Sequence, residues 1–334
     1  PMKTNPLLLA TAAFLLAAAT LPAADVREGL VAYWPLNTAT GSNPMITPDV
    51  VAGNDLTGPL MDSAAAVVTG HFGNAVSFGG ITTDYLYFVN TPGIDSGLPV
   101  AKQGSWTYSL WVNGASGQPD QTTYFAETTS GSSTQWRFAM EMESTAGQTE
   151  KTRYFIRDSG GSVKASYVGS TNTLDGTWHH LAYTYDMSNG KFMVYVDGQP
   201  DFTNTFTYAQ NAASFDQIGI GALVRNTVGV PFAGAVDDVA LWARTLSQGE
   251  IQEVMTNSIA TPVPAFKPVV TANPIGATNL LEGDSFTLSG LCIGTRPFSY
   301  QWVKDGTNYP GPDANTLTLS SLTTNDNGWY QLVF

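Results

Sequence analysis

Two alternating runs near the middle of the chain constrain its fold more than any other stretch. Trp178-His179-His180-Leu181-Ala182-Tyr183-Thr184-Tyr185-Asp186 alternates apolar and polar side chains, and so does Phe192-Met193-Val194-Tyr195-Val196. A period of two puts successive side chains on opposite faces, the pattern of a strand with one buried side. Asp197-Gly198 follows, and both residue types tolerate the positive φ of a tight hairpin turn. The region therefore predicts antiparallel sheet.

The same texture extends along the chain. From Leu30 onward, short runs rich in Val, Tyr, Phe, Trp and Thr are separated by Gly, Asn, Asp and Ser clusters, the spacing of an all-β sandwich. Charged residues make up only 12% of the 334, too few for a helical bundle or a charged disordered tail. One helix is expected, where Ser247 and Glu250 form a capping box ahead of Ile251, Val254 and Met255. At Thr261-Pro262-Val263-Pro264 the composition shifts to a semi-rigid linker. The expected organisation is a leader over 1–24, a first domain over 25–258, a linker over 259–267 and a second domain over 268–334.

The formal net charge is −13 with no Lys/Arg run, which removes the electrostatic footprint of nucleic-acid or anionic-membrane binding. Met2-Lys3, the apolar stretch Leu7 to Ala19 and the small residues Pro22-Ala23-Ala24 have the layout of a Sec-type signal peptide. Its apolar core is too short to span a bilayer, so no membrane insertion is expected after cleavage. An extracellular or cell-surface location follows. The single cysteine, Cys292, rules out an internal disulfide and is expected as a small buried hydrophobe.

Several blocks carry a family resemblance. Gly29-Leu30-Val31-Ala32-Tyr33-Trp34, Gly70-His71-Phe72-Gly73-Asn74-Ala75-Val76-Ser77-Phe78, Ser105-Trp106-Thr107-Tyr108-Ser109-Leu110-Trp111, the Trp-His-His strand, Gln217-Ile218-Gly219-Ile220-Gly221 and Phe232-Ala233-Gly234-Ala235-Val236-Asp237-Asp238 occur in one order. Together they resemble the LamG-like jelly rolls of the concanavalin A-like lectin/glucanase superfamily, which implies a secreted recognition module over roughly Gly29 to Val254. The residues after the linker resemble a bacterial immunoglobulin-like domain, with Trp302 as the core tryptophan and Tyr330 as the tyrosine-corner residue. That resemblance places Gly290 and Leu332 where many such domains carry bridging cysteines, with Cys292 out of register. It also implies an incomplete domain, because the chain stops at Phe334 inside the expected strand F, as a fragment of a longer protein would.

Candidate chemistry is sparse. Glu141 and Glu143 share a strand face but lack the Asp and third carboxylate of the glycosidase pattern, and no Gly-x-Ser-x-Gly elbow occurs. His179 and His180 point to opposite faces, so joint metal ligation is not expected. The resemblance implies a structural calcium ion near Asp237, with help from Asp49. The loop Ala222-Leu223-Val224-Arg225-Asn226-Thr227 carries no carboxylate, against a pentraxin-type calcium site. Arg137, Arg153 and Arg157 fall on shared strand faces and form a positive patch suited to sugar carboxylates or sulfates, unless Glu141 and Glu143 neutralise it. Tyr85, Tyr87 and Tyr124 lie beside loops, placed to stack on a sugar ring, whereas Trp34, Trp106, Trp111, Trp178 and Trp242 are assigned to packing. The expectation is a non-enzymatic recognition module for a glycan or a cell-surface protein; a structural spacer and a divergent glycosidase are the alternatives.

Overall fold

The computed structural model describes residues 25–91, 95–102, 104–134, 137–143, 150–157, 162–208, 214–277, 280–296 and 298–334. The expected leader over 1–24 lies outside them, as does Gln135-Trp136. The jelly roll is built from β1 (Leu30–Trp34), β2 (Met45–Thr47), β3 (Leu56–Gly58), β4 (Val67–Thr69), β5 (Asn74–Gly79), β6 (Leu86–Val89), β7 (Trp106–Asn113) and β8 (Thr123–Thr128). It continues through β9 (Arg137–Glu143), β10 (Lys151–Arg157), β11 (Val163–Asn172), β12 (Trp178–Asp186), β13 (Lys191–Val196), β14 (Gln199–Thr205), β15 (Gln217–Ile220) and β16 (Ala233–Trp242). The first sheet runs β14-β13-β12-β7-β16-β5-β4 with β1 added beside β16, and the second runs β11-β10-β9-β8-β15-β6-β3-β2.

Alternation places one set of side chains from each sheet between the two. Trp34, Trp106, Tyr108, Phe125, Phe138, Tyr154, Tyr183 and Phe192 are buried there in one continuous core. Each such ring removes roughly 150–250 Å² from water, worth about 4–6 kcal/mol before the entropy of ordering it. Asp197 and Gly198 both adopt positive φ, 50° and 71°, in the two-residue turn joining β13 to β14. At the sandwich edge, the Asp201 carboxylate of β14 accepts Thr152 Oγ1 at 2.9 Å, Ser170 Oγ at 2.6 Å and Thr171 Oγ1 at 2.7 Å from the other sheet.

The helix α1 (Gln248–Asn257) carries the expected capping box. It lays Ile251 and Val254 against Tyr33, Ala182, Ala240 and Trp242 on the outer face of the first sheet. Among the described residues no helix covers the outer face of the second sheet.

The immunoglobulin-like unit contains β17 (Val269–Ala272), β18 (Phe286–Ser289), β19 (Leu291–Ile293), β20 (Gln301–Lys304), β21 (Thr307–Asn308), β22 (Thr316–Leu319) and β23 (Tyr330–Val333). Trp302 is its buried centre, among Leu288, Leu317, Leu319, Leu322 and Leu332. The Tyr330 hydroxyl donates to the Asp326 carbonyl at 3.0 Å, closing a tyrosine corner. A Cβ on Gly290 would stand 2.9 Å from Leu332 Cδ2, so the two positions face each other and the leucine occupies the space of a bridge. Cys292 is buried, and burial pushes its thiol up to about 12, which makes it inert.

Candidate functional site

The outer face of the second sheet is laid out by its register. One row of partners runs Tyr87 on β6, Gly219 on β15, Ala126 on β8, Ala139 on β9, Phe155 on β10 and Ser166 on β11. Their neighbours Leu86, Ile218, Ile220, Phe138, Tyr154 and Ile156 point into the core, so this row faces outward. Its three smallest members stand together in the middle. Leu223 and Val230 pack on Ala126 and Ala139, and a Cβ on Gly219 would meet Val224 Cγ2 at 2.6 Å. The loop is held down where Thr128 Oγ1 donates to the Val224 carbonyl at 2.6 Å, and reciprocal backbone bonds between Leu223 and Gly229 close it.

Charge collects beside this loop. The guanidinium carbons of Arg153 and Arg157 each lie 5.3 Å from the Phe155 ring centroid, on a residue that is itself buried. Arg153 is opposite Glu141 in register and its Nη1 is 3.7 Å from Oε2, with the glutamate fully buried. Arg157 is opposite Arg137. The loop then adds Arg225, whose Nη1 donates to the Ser133 carbonyl. Burial, and next the neighbouring Arg157 charge, push the Arg225 pKa down, against the pull of Glu141.

Arg157 and Arg225 are each half-buried, and each has a buried Nε without a hydrogen-bond partner. Among the described residues neither pairs with a carboxylate. Withdrawing a guanidinium from water without a counterion costs several kcal/mol, and two like charges add to that. An oxyanion between the two would receive charge-assisted hydrogen bonds from planar donors.

The expected residues divide accordingly. Arg153 and Arg157 share the site; of Arg137 only the backbone position is described. Tyr85 and Tyr87 are half-exposed with ring centroids 5.9 Å apart, but four inter-strand steps, roughly 19 Å, separate Tyr87 from β10. Tyr124 is a correction: it is fully buried, edge-on to Phe232 at 5.1 Å, and offers no ring to solvent. A register shift between Thr123 and Phe125 turns both Tyr124 and Phe125 inward where strict alternation would expose one. Glu141 is occupied by Arg153, and the Glu143 side chain lies outside the described residues.

Asp49 and Asp237 do not fit the expected calcium site. Asp49 accepts backbone N–H bonds from Tyr33, Val51, Ala52 and Asn54 at 3.0–3.2 Å. Asp237 accepts them from His71 at 2.8 Å, Phe72 at 2.9 Å and Asp238 at 2.8 Å. Calcium needs converging free oxygens, whereas these carboxylates are surrounded by donors and tie down separate turns. Among the described residues no group of three His, Cys, Asp or Glu side chains is placed to hold a metal ion. His180 is buried against Ser109 Oγ at 2.8 Å, and His179 bonds Asp197 at 2.8 Å; burial holds His180 near 3, neutral at ordinary pH.

Residues 83–252 match the family described as the concanavalin A-like lectin/glucanases superfamily, and residues 267–334 match the immunoglobulin domain family. No curated protein sequence matches the chain. Similar solved structures include domain 4 of the extracellular GH43 arabinanase AbnA from Geobacillus stearothermophilus in complex with arabinotriose, at 18% identity and TM-score 0.47, covering 69% of this chain and 99% of that one. Trypanosoma rangeli sialidase matches at 17% identity and TM-score 0.49, covering 68% of this chain and 32% of the sialidase. The CBM40 of Ruminococcus gnavus IT-sialidase, bound to α2,3-sialyllactose, matches at 15% identity and TM-score 0.42, covering 54% of this chain and 96% of that one. At these values the likeness assigns neither ligand nor activity. Among the described residues no helix is long and apolar enough to cross a membrane.

Proposed function

The chain belongs to the concanavalin A-like lectin/glucanase superfamily, and from that premise we propose that it is a non-catalytic glycan-recognition protein, binding an acidic saccharide on the outer face of its second sheet. The observation that carries this reading is the pair Arg157 and Arg225, each half-buried with a buried Nε that has no hydrogen-bond partner and with no carboxylate partner among the described residues, and near enough that the Arg157 charge helps to lower the Arg225 pKa. In a chain of net charge −13, a positive patch of this kind is a local exception to the composition.

A glycan sulfate or carboxylate would sit between the guanidiniums, with the apolar ring faces of the sugar against the loop residues beside Phe155. Arg153 has a different part. Its pairing with Glu141 fixes Phe155 and the strand beneath, so it positions the site. Absence of hydrolysis is part of the proposal: two carboxylates separated by ~5 to 10 Å across a scissile bond are required, whereas Glu141 is bound to Arg153 and Glu127 is buried under backbone N–H donors.

The proposal places the protein outside the cell, exported by residues 1–24, with a jelly roll over 25–258, a proline-rich linker over 259–267 and the immunoglobulin-like unit as a spacer. The test compares a sulfated polysaccharide with its desulfated form, and a polyuronate with its carboxyl-reduced form, at low and at physiological salt. Binding confined to the charged forms and weakened by salt supports the reading. Equal binding of charged and neutral forms would overturn it.

A further inference from the structure

The chain contains three histidines, and the fold gathers all of them at one end of the first sheet, on the side of the jelly roll opposite the arginine cluster. Asp197 is their common neighbour. Its Oδ2 lies 2.8 Å from His179 Nδ1, its Oδ1 accepts the His180 N–H at 2.9 Å, and its charge acts on His71. His71 lies flat on Trp111, with ring centroids 3.5 Å apart and 17° between planes, while Trp178 stands at 6.4 Å and 63° and Phe72 at 4.6 Å and 83°.

Exposure separates floor from surface. Trp111 is buried beneath His71, His71 is exposed, and Trp178 and Phe72 are half-buried. Among the described residues, the remaining tryptophans of the sandwich, Trp34, Trp106 and Trp242, are wholly enclosed. Packing therefore does not account for Trp178. Nor is the His71 ring needed to hold its turn, because Asp237 already fixes that turn through the backbone N–H groups of His71 and Phe72.

Polar groups border the rings. The Asp175 and Asp197 carboxylates are each 47% exposed, and His179 contacts both, at 3.3 and 2.8 Å, holding them in place. Flat rings beside a few fixed acceptors make the kind of surface that orients a small polar ligand with an apolar face. The two carboxylates repel an anion and accept hydrogen bonds from hydroxyls.

We infer that this rim is a second saccharide subsite, formed by His71, Trp178, Asp175 and Asp197 and selective for a neutral pyranose, whose C–H face would stack on the rings while its hydroxyls bond the carboxylates. It stands independently of the arginine site.

The test titrates neutral hexasaccharides of β-1,4-glucan, β-1,4-xylan and β-1,4-mannan, with polygalacturonate as the anionic control, against the full chain, following tryptophan fluorescence and heat. The expected result is binding of at least one neutral hexasaccharide, weakened about tenfold or more in His71→Ala and in Trp178→Ala and unchanged in Arg157→Ala. His71 is exposed, so its variant keeps the fold and decides the outcome even where Trp178→Ala does not fold. Absence of neutral-sugar binding, equal binding by His71→Ala, or loss of that binding in Arg157→Ala would each overturn the inference. Binding at the arginine cluster, read by polygalacturonate, is untouched by any of these results.

Discussion

Arg153 and Glu141 face each other across β9 and β10, with Nη1 3.7 Å from Oε2 and the glutamate wholly shielded from water. Four positions along the same strand, Arg157 stands opposite the backbone position of Arg137 and beside the charge of Arg225. The two residues thus occupy one sheet face and do opposite work. Arg153→Ala deprives a buried carboxylate of its cation and is expected to cost about 2–4 kcal/mol of stability. Arg157→Ala relieves like-charge crowding and is expected to leave stability unchanged or slightly raised. Urea denaturation of the two variants checks the contrast; equal destabilisation would refute the division of roles.

Glu127 gives the sandwich a pH dependence. It is fully buried, accepts the Val100 and Ala101 N–H groups at 2.8 and 2.9 Å, and burial pushes its pKa up to about 7. A carboxyl raised on folding stabilises below its unfolded value near 4.5 and loses that contribution as pH rises through about 7. Stability from this group falls across that window by on the order of 3 kcal/mol. Asp237, also pushed up to about 7 by burial, acts with the same sign, and His180, held near 3, acts with the opposite sign. The difference between wild type and Glu127→Gln isolates the glutamate. The variant is expected to be less stable overall, since its amide faces an N–H, but to show a flatter profile between pH 4.5 and 7 in thermal melts. A parallel profile would remove Glu127 as the source.

Asp201 closes the sandwich at the β11 and β14 edges through hydroxyl and N–H donors, which hold its pKa down despite partial burial. Its contribution is therefore present above the unfolded pKa and lost as pH falls through the folded one. Asp201→Ala is expected to cost about 1–3 kcal/mol at neutral pH and to increase hydrogen exchange at Ser170 and Thr171. Unchanged exchange at those amides would show that the edge is held by other contacts.

Asp237→Ala is expected to destabilise by about 2–4 kcal/mol, because three backbone N–H groups lose their acceptor. Calcium and chelator are expected to leave the Tm of wild type and variant alike unmoved. A calcium-dependent rise in wild-type Tm that disappears in the variant would restore the ion.

Alternation and turn chemistry made much of the fold legible: the Asp197-Gly198 hairpin and the helix behind Ser247 and Glu250 follow from local pattern, whereas the opposition of Gly290 to Leu332 follows from the resemblance to immunoglobulin-like domains. The site was less legible. Tyr124 misleads because a register shift in β8 breaks the period on which the expectation rests. Arg225 has no strand pattern at all. Its loop carries no carboxylate, and that absence was its signal, but only the folding of the loop over Gly219, Ala126 and Ala139 brings its charge to Arg157. Trp178 lies in a block that reads as core, and its half-exposure depends on where the sheet ends.

In the proposed function Arg157 and Arg225 bind one anion together. Isothermal titration of a sulfated or uronic-acid oligosaccharide that binds wild type, against Arg157→Ala, Arg225→Ala and the double variant, tests it most directly. Each single variant is expected to lose about tenfold or more in affinity, consistent with ~1.5–3 kcal/mol for a charge-assisted bond. The double variant is expected to lose less than the sum of the two, because both grip one group, and the salt dependence is expected to shrink with each arginine removed. Undiminished binding of the acidic oligosaccharide by the double variant would contradict the account.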